Sequence, residues 1–224
     1  MFAPRPSRLF DSTCRVLRPP MDNHPVPTVG PFADSTPLGL LGLAIGCAAL
    51  VPIALGHSLT PAGLKTAAMF CLLFGAGGQF IAGIMALANK NLLGGTLFTT
   101  FSFNWLMNWW AISGMAEGKM PDAEIVLAVD ITFLCIFMVL TYAFGFFSKL
   151  LFLFLADIDL LYIARILREL THNSIFSLVI AGCTIALIAI SLWLAFAILV
   201  NPTAGRQIFA MPGPMFQPKQ PSAT

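Results

Sequence analysis

The chain has 224 residues, of which 58% are hydrophobic and only 10% charged, with a mean hydropathy of +0.85 and a formal net charge of +2. Soluble domains are about 45–50% apolar and about 25% charged, so this chain is short of the polar surface that a water-facing fold needs. The balance excludes a cytosolic enzyme, a nucleic-acid binder and a wholly disordered chain, and reads as an integral membrane protein whose first partner is the lipid bilayer.

The first 36 residues hold seven prolines and four arginines and contain no apolar run. They lack the hydrophobic core of a secretory signal peptide, and the prolines oppose the amphipathic helix of an organelle transit peptide. Two readings stand. Either residues 1–36 are a disordered Pro/Arg-rich tail, or the true start is Met21 and Met1–Pro20 lies outside the protein.

Six apolar stretches follow: Pro37–Gly56, Leu64–Ala88, Leu92–Met115, Ile125–Phe147, Leu150–Leu167 and Ile175–Val200. Each is near or above the ~20 helical residues that span a bilayer core. Only Lys65, Asp130, Asp157, Asp159 and Arg165 bring charge into them. The expected fold is therefore all-α: a polytopic bundle of six transmembrane helices over 37–200, followed by a C-terminal tail over 201–224. Short connections predict that sequential helices pack as antiparallel neighbours. Six crossings put both termini on one side, which carries eight of the 12 Lys and Arg residues. The positive-inside rule then predicts N-in and C-in in the cytoplasmic (plasma) membrane.

Small residues mark the first two helices. Gly39, Gly42 and Gly46 on the first, and Gly75, Gly77, Gly78, Ala82 and Gly83 on the second, let backbones approach closely. The FGAGGQF run over Phe74–Phe80 lacks the Lys-Ser/Thr of a phosphate-binding loop, so no nucleotide is implied.

On the third helix Thr96, Thr100, Asn104 and Asn108 recur every four residues, a drifting polar stripe among Phe98, Phe101, Phe103, Trp105, Trp109 and Trp110. Such a stripe offers hydrogen bonds without fixed charge, as a path for a small polar solute requires. Equally, Thr and Asn can glue helices together at about 0.6 kcal/mol per bond. Trp109 and Trp110 near the helix end suit the membrane–water interface.

An Asp at a helix centre costs about 2.5–3.5 kcal/mol on insertion scales, so Asp130, Asp157 and Asp159 each need a reason. Asp157 and Asp159 are two residues apart, about 200° around a helix, and cannot form a carboxylate dyad. They are candidate proton sites, or else carboxylates bonded to Thr, Asn or Tyr of a neighbouring helix. The five cysteines form no CxxC pair, and His24, His57 and His172 fall in a tail or loops. No metal site, cofactor or nucleophile–base constellation is implied, so the chain is not expected to be an enzyme.

Three separated motifs resemble the acetate uptake transporter family, which includes the bacterial succinate–acetate permease. Asp34-Ser35-Thr36-Pro37-Leu38-Gly39-Leu40 corresponds to the family's NPAPLGL. Gly77-Gly78-Gln79 through Ala82-Gly83, followed by Asn91 to Trp105, corresponds to its GGxxQxxAGxxE and GNxFGxTxFxSYGxFW segments. Asn201 to Arg206, with Pro212-Gly213 behind, corresponds to its N-x3-GR and proline-glycine.

The resemblance implies passage of acetate or other short monocarboxylates, channel-like or proton-linked, through each protomer of a ring-like homo-hexamer. It maps the pore constriction onto Leu43 and Phe101, with a further contribution from the fifth helix. Gln79, Asn91, Thr96, Thr100 and Asn104 are the neutral groups that would bond a carboxylate along the way. The chain departs from the family at Asp34-Ser35-Thr36, at Ala86 in place of the family glutamate, and at Asp157 and Asp159, which marks it as a divergent member. Two other functions fit the same sequence: a non-transporting membrane scaffold or assembly subunit, and a channel for another small solute such as ammonia.

Overall fold

The computed structural model describes residues 30–217, so the expectations about Met1–Pro20 lie outside the described residues. The described residues are all-helical: α1 (Thr36–Ala54), α2 (Pro61–Ala88), α3 (Leu92–Ala116), α4 (Ala123–Phe144), α5 (Lys149–Thr171) and α6 (Ile175–Ala204). Four of the six, α1, α2, α4 and α6, are long and apolar enough to cross a membrane, which makes this an integral membrane protein. α3 and α5 are comparably long, at 25 and 23 residues, but more polar.

Local chemistry sets where these helices begin and end. Thr60, Asn91, Asp122 and Ser148 each accept a backbone N–H in the first turn of α2, α3, α4 and α5 respectively. Each bond satisfies one donor that has no partner within the helix. α5 and α6 stop at His172 and Gly205, both left-handed, with φ 54° and 62°.

α2 changes pitch midway: Cys71–Gly78 winds as a π-helix. Its wide turn points the Phe74 carbonyl at Gly42 of α1, where a Cβ would stand 2.6 Å from that oxygen. At Gly75 a Cβ would stand 2.5 Å from the Trp105 ring. The glycine stripes therefore do what their spacing predicts, bringing α1, α2 and α3 into near-backbone contact.

Around the bundle the order of close packing is α3, α2, α1, α6, α5, α4. Sequential helices are neighbours, as expected, with one exception. α3 and α4 meet through rings rather than close backbones: the Phe101 and Phe137 centroids are 4.7 Å apart, and both rings are buried. Aromatic bulk holds that seam open.

The flanking segments are tied down. Asn89 binds Phe32 on both sides of its peptide, accepting its N–H and donating to its carbonyl at 3.0 Å each. Ser35 is buried and donates to the Ala82 carbonyl at 2.8 Å. Residues 30–35, within the stretch expected as tail, thus dock on the end of α2. α6 continues past Val200 to Ala204, and Asn201 clasps the returning chain. Its Oδ1 accepts the Ile208 and Phe209 N–H groups at 2.8 and 3.0 Å, while its Nδ2 donates to the Phe209 carbonyl at 2.8 Å. Further on, the Gly213 and Pro212 carbonyls accept from Lys149 N and Ser148 Oγ, closing the tail over the start of α5.

Candidate functional site

Four helices, α1, α3, α5 and α6, line two cavities of about 200 Å³ each, one toward either end of the bundle, with Phe144 of α4 and Phe147 adding to the wall of the one at the termini end. The lining residues give their levels. The cavity at the termini end touches Leu40, Phe98, Phe154 and Leu194, and the one at the loop end touches Cys47, Phe101, Ile158 and Leu187. Leu43, Leu155 and Ser191 fall between those levels on α1, α5 and α6, and are at most 1% exposed. Leu40 and Cys47 are seven positions apart, so the levels of the two cavities are about 10 Å apart along α1.

That layer is an apolar plug. Phe101 forms its floor on the loop side and packs on Phe137, which in turn stacks on Tyr162 at 5.4 Å between centroids. The one polar member, Ser191, spends its hydroxyl on the Leu187 and Ile188 carbonyls of its own helix. An apolar layer of this kind offers water and ions no hydrogen-bond partners.

The two vestibules differ in chemistry. The termini-side one is lined by Leu, Phe, Ile and Met side chains, with Thr36 and Asn91 at its polar edge and Met211 reaching in from the C-terminal segment. The loop-side one holds Asn104, Asn108, Tyr162, Arg165, Arg168 and Thr184. Arg165 donates Nε–H to Asp130 Oδ2 at 2.9 Å, and its guanidinium carbon sits 5.5 Å from the centroid of the Tyr162 ring. Asp130 is buried, so the pair places a desolvated carboxylate against a partly exposed cation. The loop-side vestibule therefore has positive character as well as neutral donors. A larger space of about 420 Å³ lies on the outside of α1 and α2, between Pro52, Ile53 and Phe70, and opens on the outer surface of the bundle.

The residues expected at the site divide into three groups. Leu43 and Phe101 are in the plug, Asn104 lines the loop-side vestibule, and Asn91 rims the other while its Oδ1 caps α3 by accepting from Gly94 N at 2.9 Å. Gln79, Thr96 and Thr100 line neither vestibule. Gln79 is buried in the α1–α2 seam, donating to the Gly39 carbonyl at 3.4 Å. Thr96 faces outward and Thr100 is half-buried. The cause is helical drift: a repeat of four turns about 40° further each time, so a stripe facing the interior at Asn104 and Asn108 faces away by Thr96.

The three acids also stand outside the vestibules. Asp130 is the partner of Arg165. Asp159 Oδ2 accepts from Thr141 Oγ1 of α4 at 2.7 Å, while Asp157 turns to the other side of α5, beside the Cys183 thiol of α6. The 200° between them thus sends one acid to each neighbouring helix.

Arg165, Arg168 and Tyr162 line the loop-side cavity without belonging to any of the motifs, and Trp105, the last residue of the Asn91–Trp105 segment, lines it without having been expected there. A signal for the first three lies in the sequence: Tyr162, Arg165 and Arg168 follow a three-residue step along one face of their helix.

No family model matches the sequence, and no curated protein matches it. Among solved structures the chain is similar to the bacterial acetate channel SatP, with a TM-score of 0.72, covering 80% of this chain and 99% of that one at 19% identity. At that identity the likeness is one of fold.

Proposed function

We propose that the chain is a membrane channel or transporter for acetate or a similar short-chain monocarboxylate. The observation that supports this best is the pair of cavities within the same four helices, separated by one apolar layer, in a fold like that of an acetate channel. A carboxylate collects in the loop-side vestibule, where Arg and Asn side chains replace part of its hydration. Its short apolar end suits the Leu43–Phe101–Leu155 plug better than an inorganic ion does. In this reading all six helices cross the plasma membrane with both termini inside, so the arginine-bearing vestibule opens outward. The protomers assemble as a homo-oligomer, a hexamer by the family resemblance.

Proton linkage follows from energetics. Moving an anion inward against the membrane potential costs about 2.3 kcal/mol per 100 mV, and a companion proton cancels that cost. Asp130, Asp157 and Asp159 are the acids available for it, each on a helix next to the conduit or lining it. The apolar termini-side vestibule favours a second reading, a channel for a small neutral solute such as ammonia. Flux into proteoliposomes separates these. Labelled acetate should enter and respond to an imposed pH gradient; ammonia flux without acetate flux supports the second reading, and a chain that passes neither solute is not a transporter of this kind.

A further inference from the structure

The chain beyond α6 folds back on the bundle and is held on both sides of one residue, Met211. Upstream, Asn201 fixes Ile208 and Phe209, and the Trp193 indole N–H donates to the Ala210 carbonyl at 3.0 Å. The Phe209 ring meets those of Trp193 and Phe196 at 5.2 and 5.8 Å between centroids. Downstream, Ser148 Oγ donates to the Pro212 carbonyl and the Lys149 N–H to the Gly213 carbonyl, at 2.9 Å each. The Gly145 carbonyl accepts from Met215 N and Phe216 N at 2.7 and 3.1 Å. The Phe216 ring ends the series among Tyr142, Phe146 and Phe152, at 5.4, 5.4 and 5.6 Å between centroids. Gly145 makes the room, since a Cβ there would collide with that ring.

None of the groups that hold this segment lines the termini-side vestibule. Met211 does, together with Leu151 of α5 and Ile198 of α6, and it packs on the hydrophobic core. The remaining wall of that cavity is made by the helices and their connections, so Met211 is the one lining residue that can leave without a helix moving. Its side chain is apolar and flexible, which suits it to filling a gap and to withdrawing from it. Pro212 and Pro214 restrict the backbone on either side of Gly213, so the stretch that carries Met211 moves as a stiff piece.

We infer that residues 208–216 are a strap that gates the termini-side vestibule, with Met211 as its bolt. With the strap seated, Met211 closes one part of the cavity wall. With the Phe216 end released from the α4–α5 turn, the strap pivots on its Asn201 root and draws Met211 out, opening the vestibule to water. Phe216 is a positioning residue: it sets how much of the time the bolt is home without touching the cavity. The gate deepens the proposed function by controlling access to one end of the conduit, and its opening can be read without any solute passing.

The test places a reporter thiol in the cavity by Leu97→Cys, a buried lining residue of α3 across from the strap. The full chain in detergent is treated with a small charged methanethiosulfonate, and modification at residue 97 is timed by mass spectrometry. All variants are compared as folded, monodisperse protein, with acetate flux in proteoliposomes measured alongside. Met211→Gly removes the bolt, and Phe216→Ala removes three aromatic contacts at the far anchor. Each should speed modification about tenfold, because each raises the share of molecules with the vestibule open. Met211→Leu, which refills the gap, should restore the parent rate. Modification within about twofold of the parent in both Met211→Gly and Phe216→Ala overturns the strap as a gate. Acceleration in Met211→Gly alone also overturns it, leaving Met211 a fixed part of the wall. Acceleration in both, with no acetate flux in any variant or in the unaltered chain, keeps the gate and removes the transport reading. Acetate flux with modification unchanged throughout does the reverse.

Discussion

Replacing Phe101 by Ala tests the plug directly. The side chain is 6% exposed and its ring centroid lies 4.7 Å from that of Phe137, so truncation removes nearly all of a buried phenyl and one aromatic pair. A buried aromatic covers about 150–250 Å², which at about 25 cal/mol per Å² is roughly 4–6 kcal/mol, less what the remaining Ala retains. The expected loss is about 3–5 kcal/mol, in line with other Phe→Ala truncations in cores. The same truncation opens the loop-side vestibule, whose nearest lining residue on α1 is Cys47, toward Leu43 one helical turn away. Water then reaches into the layer that keeps the cavities apart, and the barrier to a hydrated anion falls. A barrier lowered by about 1.4 kcal/mol, a modest share of the packing energy removed, raises flux about tenfold. The assay is labelled acetate and succinate uptake by proteoliposomes holding equal amounts of folded protein, with Phe101→Leu as the control that keeps an apolar filler. Phe101→Ala should raise both fluxes and favour succinate most. A folded Phe101→Ala protein whose fluxes stay within twofold of the parent would refute the idea that this ring closes the path.

Other outcomes follow from contacts away from the plug. Gly42→Ala puts a methyl 2.6 Å from the Phe74 carbonyl, so α1 and α2 must separate; a drop in detergent stability of about 1–3 kcal/mol is expected, and an unchanged melting temperature counts against that contact. Thr141→Val removes the hydroxyl bonded to Asp159 at 2.7 Å and should cost about 1.5–3 kcal/mol by thermal melting, with Thr141→Ser recovering most of it. Asn201→Ala strips acceptors from the Ile208 and Phe209 amides. Their hydrogen exchange should quicken about fivefold or more while α6 upstream is unaffected; equal protection would show that the clasp contributes nothing.

The helices were legible because apolar runs of bilayer-spanning length stand between short polar connections. Pro37–Gly56 corresponds to Thr36–Ala54 and Leu92–Met115 to Leu92–Ala116, while the caps Asn91, Asp122 and Ser148 emerge from the structure. The site was legible only in part. Phe101 and Asn104 line the loop-side cavity and Leu43 is buried between the two cavities, whereas Gln79 lies in the α1–α2 seam and Thr96 faces outward, since a four-residue repeat drifts and one helix alone does not reveal its zero angle. The Asp130–Arg165 pair joins residues 35 apart in sequence, and nothing local announces that contact. Asn201 looked like part of a motif, yet its role as a three-bond clasp depends on where the chain returns. The π-helix of Cys71–Gly78 left no hydropathy signature, because every residue in it is small or apolar.

That wide winding has a consequence for how the gene can vary. A π turn stores more backbone per revolution than an α turn. Losing one residue between Cys71 and Gly78 would tighten the coil toward ordinary pitch and leave Pro61–Phe70 and Gln79–Ala88 near their present orientations. The same deletion in either flank would swing everything beyond it by about 100° and turn packed side chains out toward the acyl chains. Indel tolerance along this span should therefore peak at its glycines.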